Sequence, residues 1–318
     1  MKLADLDVIV TDVVELNALI KRFHFRRTDG TPLPPFSGGS HIVVEMRDGD
    51  ERRRTPYSLS SSPLDTRDYQ ICVRRGEREG GSSRWMHTDV QRGTAMRIGH
   101  PVNFFPLDWR ARRHLMLAGG IGVTPFMAQS VQLAAAGADF ELHYGVRSRA
   151  AGACLDELEA RLGPSLHVYL DEAGERPDLD RLLGDQPLGT HLYACGPAPM
   201  IERVRERADR LGWPDAHVHV ERFTRTPSGV PFTVELAVSG RRIEVGGECS
   251  LLEAIEAAGV DAPYLCRGGV CGRCETRVLA HQGDLLHADH WLDERSRAAG
   301  DSIMPCVSRC SGTLVLER

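Results

Sequence analysis

The 318-residue sequence predicts a multidomain protein in three parts: an antiparallel β-barrel, a doubly wound α/β domain and a small α+β domain. Three observations predict it. Short apolar or alternating runs, separated by turn clusters, fill residues 1–109 without helical periodicity. From His114 onward, strand-like runs alternate with helical stretches. Beyond residue 231, a hairpin signal, a helix-capping box and a cysteine-rich loop follow one another. At roughly 150 residues per domain the length alone fits two domains with room for a third.

In the first part, the runs Leu6–Val10, His41–Met46, Tyr69–Val73 and Ala95–Ile98 are spaced by turns such as the Pro-Pro-Phe-Ser-Gly-Gly of 34–39. Strands with no interleaved helices point to a closed or Greek-key barrel. Within it, Arg54, Thr55, Pro56, Tyr57, Ser58 and Leu59 form a run with a cation, an aromatic face and hydroxyls. A planar isoalloxazine and its phosphate need those types; a strand with a surface arginine has them too. Gly80, Gly81, Ser82 and Ser83, just after Arg74 and Arg75, read as a phosphate-binding turn or as a solvated loop.

The second part spans 110–224. Its strands are His114–Ala118, Phe140–Val146, Leu166–Leu170, His191–Ala194 and His217–Arg222; its helices are Pro125–Ala136, Leu155–Leu162, Asp178–Leu183 and Pro199–Leu211. Strands alternating with helices imply a parallel sheet covered on both faces. Gly119, Gly120 and Gly122 sit between the first strand and a helix that Thr124 caps and Pro125 opens. Glycines there let backbone approach a diphosphate, and free N–H groups at a helix start favour its charge. The spacing is not G-x-G-x-x-G, and a tight structural turn has the same residues. Cys195 and Gly196 follow the fourth strand, at the end where open α/β sheets bind ligands. They suit a nicotinamide or, equally, a buried thiol before a helix. Arg147 and Arg149, after the second strand, are placed to meet a ribose 2′-phosphate.

A linker at 225–231 leads to the third part, 232–318. Thr233–Val238 and Arg242–Val245 flank the Ser239-Gly240 turn of a hairpin, and Ser250 with Glu253 caps a helix reaching Ala258. Cys266, Cys271 and Cys274 then give C-x4-C-x2-C, and Cys306 follows after 31 residues. That is the plant-type [2Fe–2S] spacing. Gly268, Gly269 and Gly272 let backbone N–H groups reach the sulfurs. A four-thiolate zinc site is the alternative, although zinc sites pair their cysteines in two short knuckles and here the fourth stands alone. Cys306 sits in the apolar run 303–307 and is preferred over Cys310 as fourth ligand; Cys72, Cys154 and Cys249 read as small core or surface residues.

Charge and composition remove several function classes. Net charge is −5, which argues against a basic nucleic-acid surface. Residues 229–318 hold 13 acids and 9 bases, so most of the net charge lies there. The arginine bias, with Lys2 and Lys21 the only lysines, has no functional reading. No apolar run reaches ~18 residues and the first ten residues lack a secretory pattern, so neither membrane insertion nor export is expected. A cytoplasmic, reducing compartment suits nine cysteines used as ligands and free thiols.

Together these motifs resemble the phthalate dioxygenase reductase family, which includes vanillate demethylase and amine-oxygenase reductases, across essentially the whole chain. The resemblance implies an FMN barrel, an NAD domain and a C-terminal β-grasp ferredoxin domain. It implies that Arg54, Tyr57 and Ser58 form the flavin motif, with Leu59 following. That motif has one residue between Arg and Tyr and this sequence has two, so Thr55 is the other candidate for the Arg position. Arg74, Gly81 and Ser82 fall where the FMN phosphate is held, and Gly119, Gly120, Gly122, Thr124 and Pro125 where the nucleotide pyrophosphate is. Arg147-Ser148 recurs in NADH-using relatives, which favours NADH. Cys195 and Gly196 resemble the nicotinamide-side motif, Ser58, Cys195 and Phe223 the groups nearest the reacting rings, and Cys266, Cys271, Cys274 and Cys306 the cluster ligands. The implied activity is transfer of electrons from NADH through FMN and [2Fe–2S] to a separate Rieske-type oxygenase, toward which the acidic third domain would steer a basic patch. The alternatives are a reductase for a P450 or other monooxygenase, and a non-catalytic [2Fe–2S] electron-transfer or sensor protein.

Overall fold

The computed structural model describes residues 5–48, 51–76, 81–223 and 229–318. It has the three-domain modular architecture expected. The first sheet contains β1 (Leu6–Asn17), β2 (Ile20–Arg27), β3 (Ser40–Asp48), β4 (Glu51–Ser58), β5 (Tyr69–Arg74), β6 (Ala95–Ile98) and β7 (Val102–Asn103), with helix α1 (Ser82–Thr88) before β6. Its order is β4-β3-β6-β1-β2-β5, with β7 on β3. A bridge between Leu59 and Ile71, with the Ser60 N–H donating to Gln70 O at 2.8 Å, closes the barrel. Val8, Val10, Phe23, Phe25, Ile42, Val44 and Ile71 fill its interior.

Strand β2 has no counterpart among the expected runs. Phe23 and Phe25 point into the barrel, whereas Ile20 and Arg22 lie on the opposite face and Lys21 is only half-buried, so the apolar alternation is broken. Arg22 instead reaches Glu157 at 2.5 Å and Cys154 Sγ at 2.9 Å, keeping its charge satisfied at a buried seam. Helix α1 was also unexpected; seven residues are too few to impose a period.

The second sheet contains β8 (Arg113–Gly119), β9 (Asp139–Val146), β10 (Leu166–Leu170), β11 (Thr190–Cys195) and β12 (Val218–Glu221). All pairs are parallel, in the order β10-β9-β8-β11-β12. Helices α2 (Thr124–Ala135) and α3 (Leu155–Leu162) cover one face; α4 (Leu179–Gly184) and α5 (Ala198–Arg210) cover the other. Strand order reverses between β8 and β11, and that switch point is where such sheets bind ligands. Barrel residues Ile20, Cys72, Phe105 and Leu107 share a core with α2 and α3.

The third part contains β13 (Phe232–Leu236), β14 (Arg241–Val245), α6 (Leu251–Ala257), β15 (Thr276–Gln282), β16 (Leu285–Leu286), α7 (Glu294–Ala299), β17 (Ser302–Ile303), β18 (Arg309–Cys310) and β19 (Thr313–Leu316). The main sheet runs β14-β13-β19-β15-β17, with β13 and β19 parallel at its centre. Leu251, Leu252 and Ile255 of α6 pack into its core, a β-grasp arrangement. The Ser250–Glu253 capping box is present with both bonds made, a feature that stabilises a helix by about 1 kcal/mol. The hairpin turn is longer than Ser239-Gly240: pairing ends at Leu236 and Arg241, because the Val238 and Ser239 N–H groups donate to Arg318 O instead.

The chain divides into two compact units, Met1–Met46 with Tyr57–Phe223, and Arg47–Pro56 with Thr224–Arg318. No described helix is long and apolar enough to cross a membrane.

Candidate functional site

The cysteine loop is built by its surroundings. Cys266, Cys274 and Cys306 are buried and Cys271 half-buried. Cys274 Sγ lies 3.3 Å from Cys306 Sγ, and the Gly268 N–H donates to Cys266 Sγ at 3.3 Å. The Cys266 thiol is held below its ordinary pKa, first by the neighbouring Cys271 thiol and then by N–H groups of Gly268, Val270 and Cys271. Thiol-thiol contact and burial push Cys306 up. Sulfurs converging on one another, with amide dipoles aimed at them, fit a group bound by thiolates. Cys310 lies in β18, its sulfur facing the carbonyls of Gln282 at 3.6 Å and Thr313 at 3.8 Å.

Glycine is required at two places in this loop. At Gly269 (φ 75°) a Cβ would come within 2.7 Å of Val307 and 3.0 Å of Asp289 Cα; at Gly272 (φ 70°) it would lie 2.3 Å from the Trp291 ring. Arg267 adopts φ 52°, and its buried guanidinium grips both Glu256 oxygens at 2.5 and 2.6 Å and stacks on Tyr264.

At the switch point, β8 and β11 bring Gly119–Gly122 beside Cys195 and Gly196. A Cβ on Gly122 would fall 2.3 Å from Cys195 O, and one on Gly196 3.1 Å from Gly119 Cα. The two loops are therefore packed backbone to backbone. The turn Gly120–Val123 is 3₁₀ and ends with the Thr124 N–H donating to Ile121 O; among the described residues no side chain caps it or α2 at the N-terminus. Thr124 does not cap, contrary to expectation; it is the first helical residue and donates its hydroxyl to Ile121 O at 3.0 Å. Pro125 occupies the first turn as expected.

Cys195 is fully buried, its sulfur 3.9 Å from Glu221 Oε2. Desolvation pushes the Cys195 thiol well up and the Glu221 carboxyl to about 8. Sequence reasoning missed Glu221; the signal available was its place at the end of β12, in register with Cys195. Phe223, two residues on, is 44% exposed. Arg147 is exposed after β9, whereas Arg149 is bound to Glu159 through both nitrogens at 2.9 and 2.6 Å. Arg149 is thus engaged by carboxylate rather than held for a 2′-phosphate.

In the barrel, Tyr57 is half-buried and Ser58 and Leu59 are buried; the Leu59 side chain belongs to the core. Arg54 bonds Tyr264 and lies 3.7 Å from Glu256, while its N–H donates to Glu253 at 3.1 Å. Thr55, beside it, is half-buried. Arg74 is exposed, and α1 begins at Ser82 with Gly81 at an uncapped N-cap. Gly80 and linker residues 225–228 lie outside the described residues.

Sequence reading also missed Asp289. It is 2% exposed and accepts from the N–H groups of Leu292 at 2.8 Å and Trp291 at 3.2 Å and from Ser308 Oγ at 3.1 Å. No spacing rule marks a lone aspartate outside the cysteine motif.

Known proteins resemble the chain throughout. Residues 234–311 match the family of 2Fe-2S iron-sulfur cluster binding domains. Residues 102–218 match the N-terminal domain of dimethylamine monooxygenase subunit DmmA-like proteins. The heme-dependent oxidative N-demethylase beta subunit of Ectopseudomonas mendocina is 47% identical over 311 residues, covering 98% of both chains. The carnitine monooxygenase reductase subunit of Acinetobacter baumannii is 44% identical, covering 97% of this chain and 96% of its own. The crystal structure of phthalate dioxygenase reductase, described as modular for electron transfer from pyridine nucleotides to [2Fe-2S], superposes with TM-score 0.89 at 32% identity, covering 99% of this chain and 98% of that one. An intact type IV self-sufficient cytochrome P450 monooxygenase matches with TM-score 0.73 at 37% identity, over 99% of this chain and 41% of the longer one.

Proposed function

We propose residue roles and a partner class for a chain that belongs to the phthalate dioxygenase reductase family of oxygenase reductases. It is an oxidoreductase that passes electrons from NADH through a flavin to a [2Fe–2S] cluster and on to a separate oxygenase component. NADH supplies electrons in pairs, the cluster takes them singly, and the flavin connects the two regimes.

In our reading the flavin is FMN. Tyr57 and Ser58 line it, Arg74, Gly81 and Ser82 take its phosphate, and Phe223 covers its ring. Because Arg54 is engaged by Glu256 and Tyr264, Thr55 is the better candidate for the motif position beside Tyr57. Gly119, Gly120, Gly122, Thr124 and Pro125 form the loop that receives the NADH pyrophosphate, its glycines letting backbone approach closely. Arg147 and Ser148 flank the ribose. Cys195 and Gly196 wall the nicotinamide side, where a neutral Glu221 carboxyl keeps charge away from the buried thiol. Cys266, Cys271, Cys274 and Cys306 hold the cluster. The domain limits 1–109, 110–224, 225–231 and 232–318, and a cytoplasmic location, belong to the same proposal.

The observation that carries the cluster assignment is the 3.3 Å approach of Cys274 and Cys306 across the loop, with Cys310 turned elsewhere. Iron, acid-labile sulfide and flavin content of the purified protein, with NADH-driven reduction of an artificial one-electron acceptor, test it. Two irons, two sulfides and one FMN per chain are expected; a colourless zinc protein would defeat the assignment.

We take the oxygenase to be of Rieske type. A haem partner is the second reading, favoured by the 47% identity to the beta subunit of a heme-dependent demethylase. Reconstituted turnover with purified oxygenases of each kind separates them.

A further inference from the structure

We propose that Glu141, His143 and His167, on the α4/α5 face of the nucleotide domain, form a site for a borderline divalent ion of the Zn²⁺ class. This inference is independent of the flavin, nicotinamide and cluster assignments. Glu141 and His143 lie on β9, and His167 lies on the edge strand β10 directly beside His143. Their nearest ligand atoms all fall within 4.8 Å of one another.

Two of the separations come close to what an ion needs. Zn–N and Zn–O bonds of about 2.0–2.1 Å at tetrahedral angles place ligand atoms roughly 3.4 Å apart. His143 Nε2 lies 3.5 Å from Glu141 Oε1, and His167 Nε2 lies 3.8 Å from Glu141 Oε2. The His143 and His167 rings stack at 4.5 Å and 17°, so His167 must turn to aim its lone pair at a shared ion, and its 44% exposure on the sheet edge leaves room for that turn.

A second observation points to a ligand. His143 is 6% exposed, and among the described residues its buried Nε2 makes no hydrogen bond, the Glu141 carboxylate standing off at 3.5 Å. An imidazole nitrogen stripped of water and left with only so long a contact gains from an ion placed between the two. Its other nitrogen, Nδ1, lies 2.9 Å from Tyr169 OH. With the ring Nδ1–H donated to that hydroxyl, an ion would meet the Nε2 lone pair beside Glu141, the outer-shell arrangement of histidine metal ligands. The carboxylate is likewise supported. Gln186 Nε2 donates to Oε1 at 3.1 Å, and Arg113 holds Oε2 at 2.8 Å. Arg113 also offsets the charge of Glu141, which limits affinity and disfavours hard cations such as Ca²⁺ and Mg²⁺. Those ions further require oxygen ligands. Two imidazoles and one carboxylate select a borderline ion, with solvent completing its coordination.

The test is Zn²⁺ titration of the cofactor-loaded protein by calorimetry, with zinc-edge X-ray absorption on the complex. We expect one saturable site with a nitrogen/oxygen shell near 2.0–2.1 Å and no sulfur near 2.3 Å. His167→Ala, an exposed change that spares the core, abolishes it. Tyr169→Phe, which keeps all three ligands, weakens affinity about 10- to 100-fold. Binding that survives His167→Ala, a sulfur shell, or no saturable binding by the unaltered protein would each overturn the proposal.

Discussion

Replacing Gly122 by alanine should separate the close approach of the switch-point loops from backbone strain alone. Gly122 has an ordinary backbone, but a Cβ there would sit 2.3 Å from Cys195 O and 2.8 Å from Gly196 N, both backbone atoms. The two switch-point loops must open by about 0.7 Å before that Cβ regains the 3.0 Å that real contacts respect. Such overpacking costs about 1–3 kcal/mol. Each kcal/mol lowers Tm by about 2–4 °C in a unit of this size. The same displacement moves the glycine backbone proposed to cradle the pyrophosphate, and a misplacement of ~1 Å can cost up to ~100-fold in rate. We expect Gly122→Ala to lose about tenfold or more in kcat/KM for NADH, measured with an artificial acceptor. Gly137, just after α2, is the control. Its φ is 64° and nothing described lies within 4 Å of a Cβ there, so Gly137→Ala costs about 1–2 kcal/mol in backbone strain without touching the switch-point loops. It should lose Tm and keep its NADH kinetics. Equal kinetic losses in both variants would show that close approach of the loops does not position the nucleotide.

Three further outcomes follow from the same geometry. Cys306→Ser should remove the [2Fe–2S] absorbance and leave NADH-dependent flavin bleaching intact, whereas Cys310→Ser should keep the cluster; the reverse pattern would reassign the fourth ligand. Glu221 is raised to about 8 by desolvation. Between its unfolded value near 4.5 and about 8, the folded state therefore holds a proton that the unfolded state has lost. Its contribution is full below about pH 4.5 and fades as pH rises through 8, so Glu221→Gln should flatten the alkaline fall of Tm across that window; an unchanged slope would mean the carboxyl ionises normally. Asp289→Ala leaves the buried Leu292 N–H without its acceptor and Arg297, 3.7 Å away, without its carboxylate, a loss of about 3 kcal/mol or more. The protein should retain flavin and shed its cluster on gel filtration, and full cluster retention would show that Asp289 does not support the loop.

The sequence disclosed what depends on local pattern. The βα rhythm after His114, the capping box at Ser250 and the cysteine spacing each follow from neighbours within a few turns, and the corresponding elements appear in place. Features set by distant partners stayed hidden. Strand β2 was obscured because Arg22 answers to Glu157 and Cys154, in another domain. Thr124 looked like a cap because a preceding 3₁₀ turn leaves no trace in composition. Glu221 matters through its register with Cys195, and Asp289 through a loop 20 residues earlier.

The glycines around the cysteines show why that loop makes demands beyond its four sulfurs. Gly269 and Gly272 admit Asp289 and Trp291 where any side chain would collide. The His290 N–H donates to Gly269 O at 2.8 Å, so the segment 289–291 is fastened along one side of the loop. On the other side Arg267 ties it to α6 through Glu256. A loop fixed from both sides holds its amide groups toward sulfur before any ion arrives, so binding and electron transfer need little rearrangement. Trp291 and Leu265 remain 51% and 43% exposed beside it.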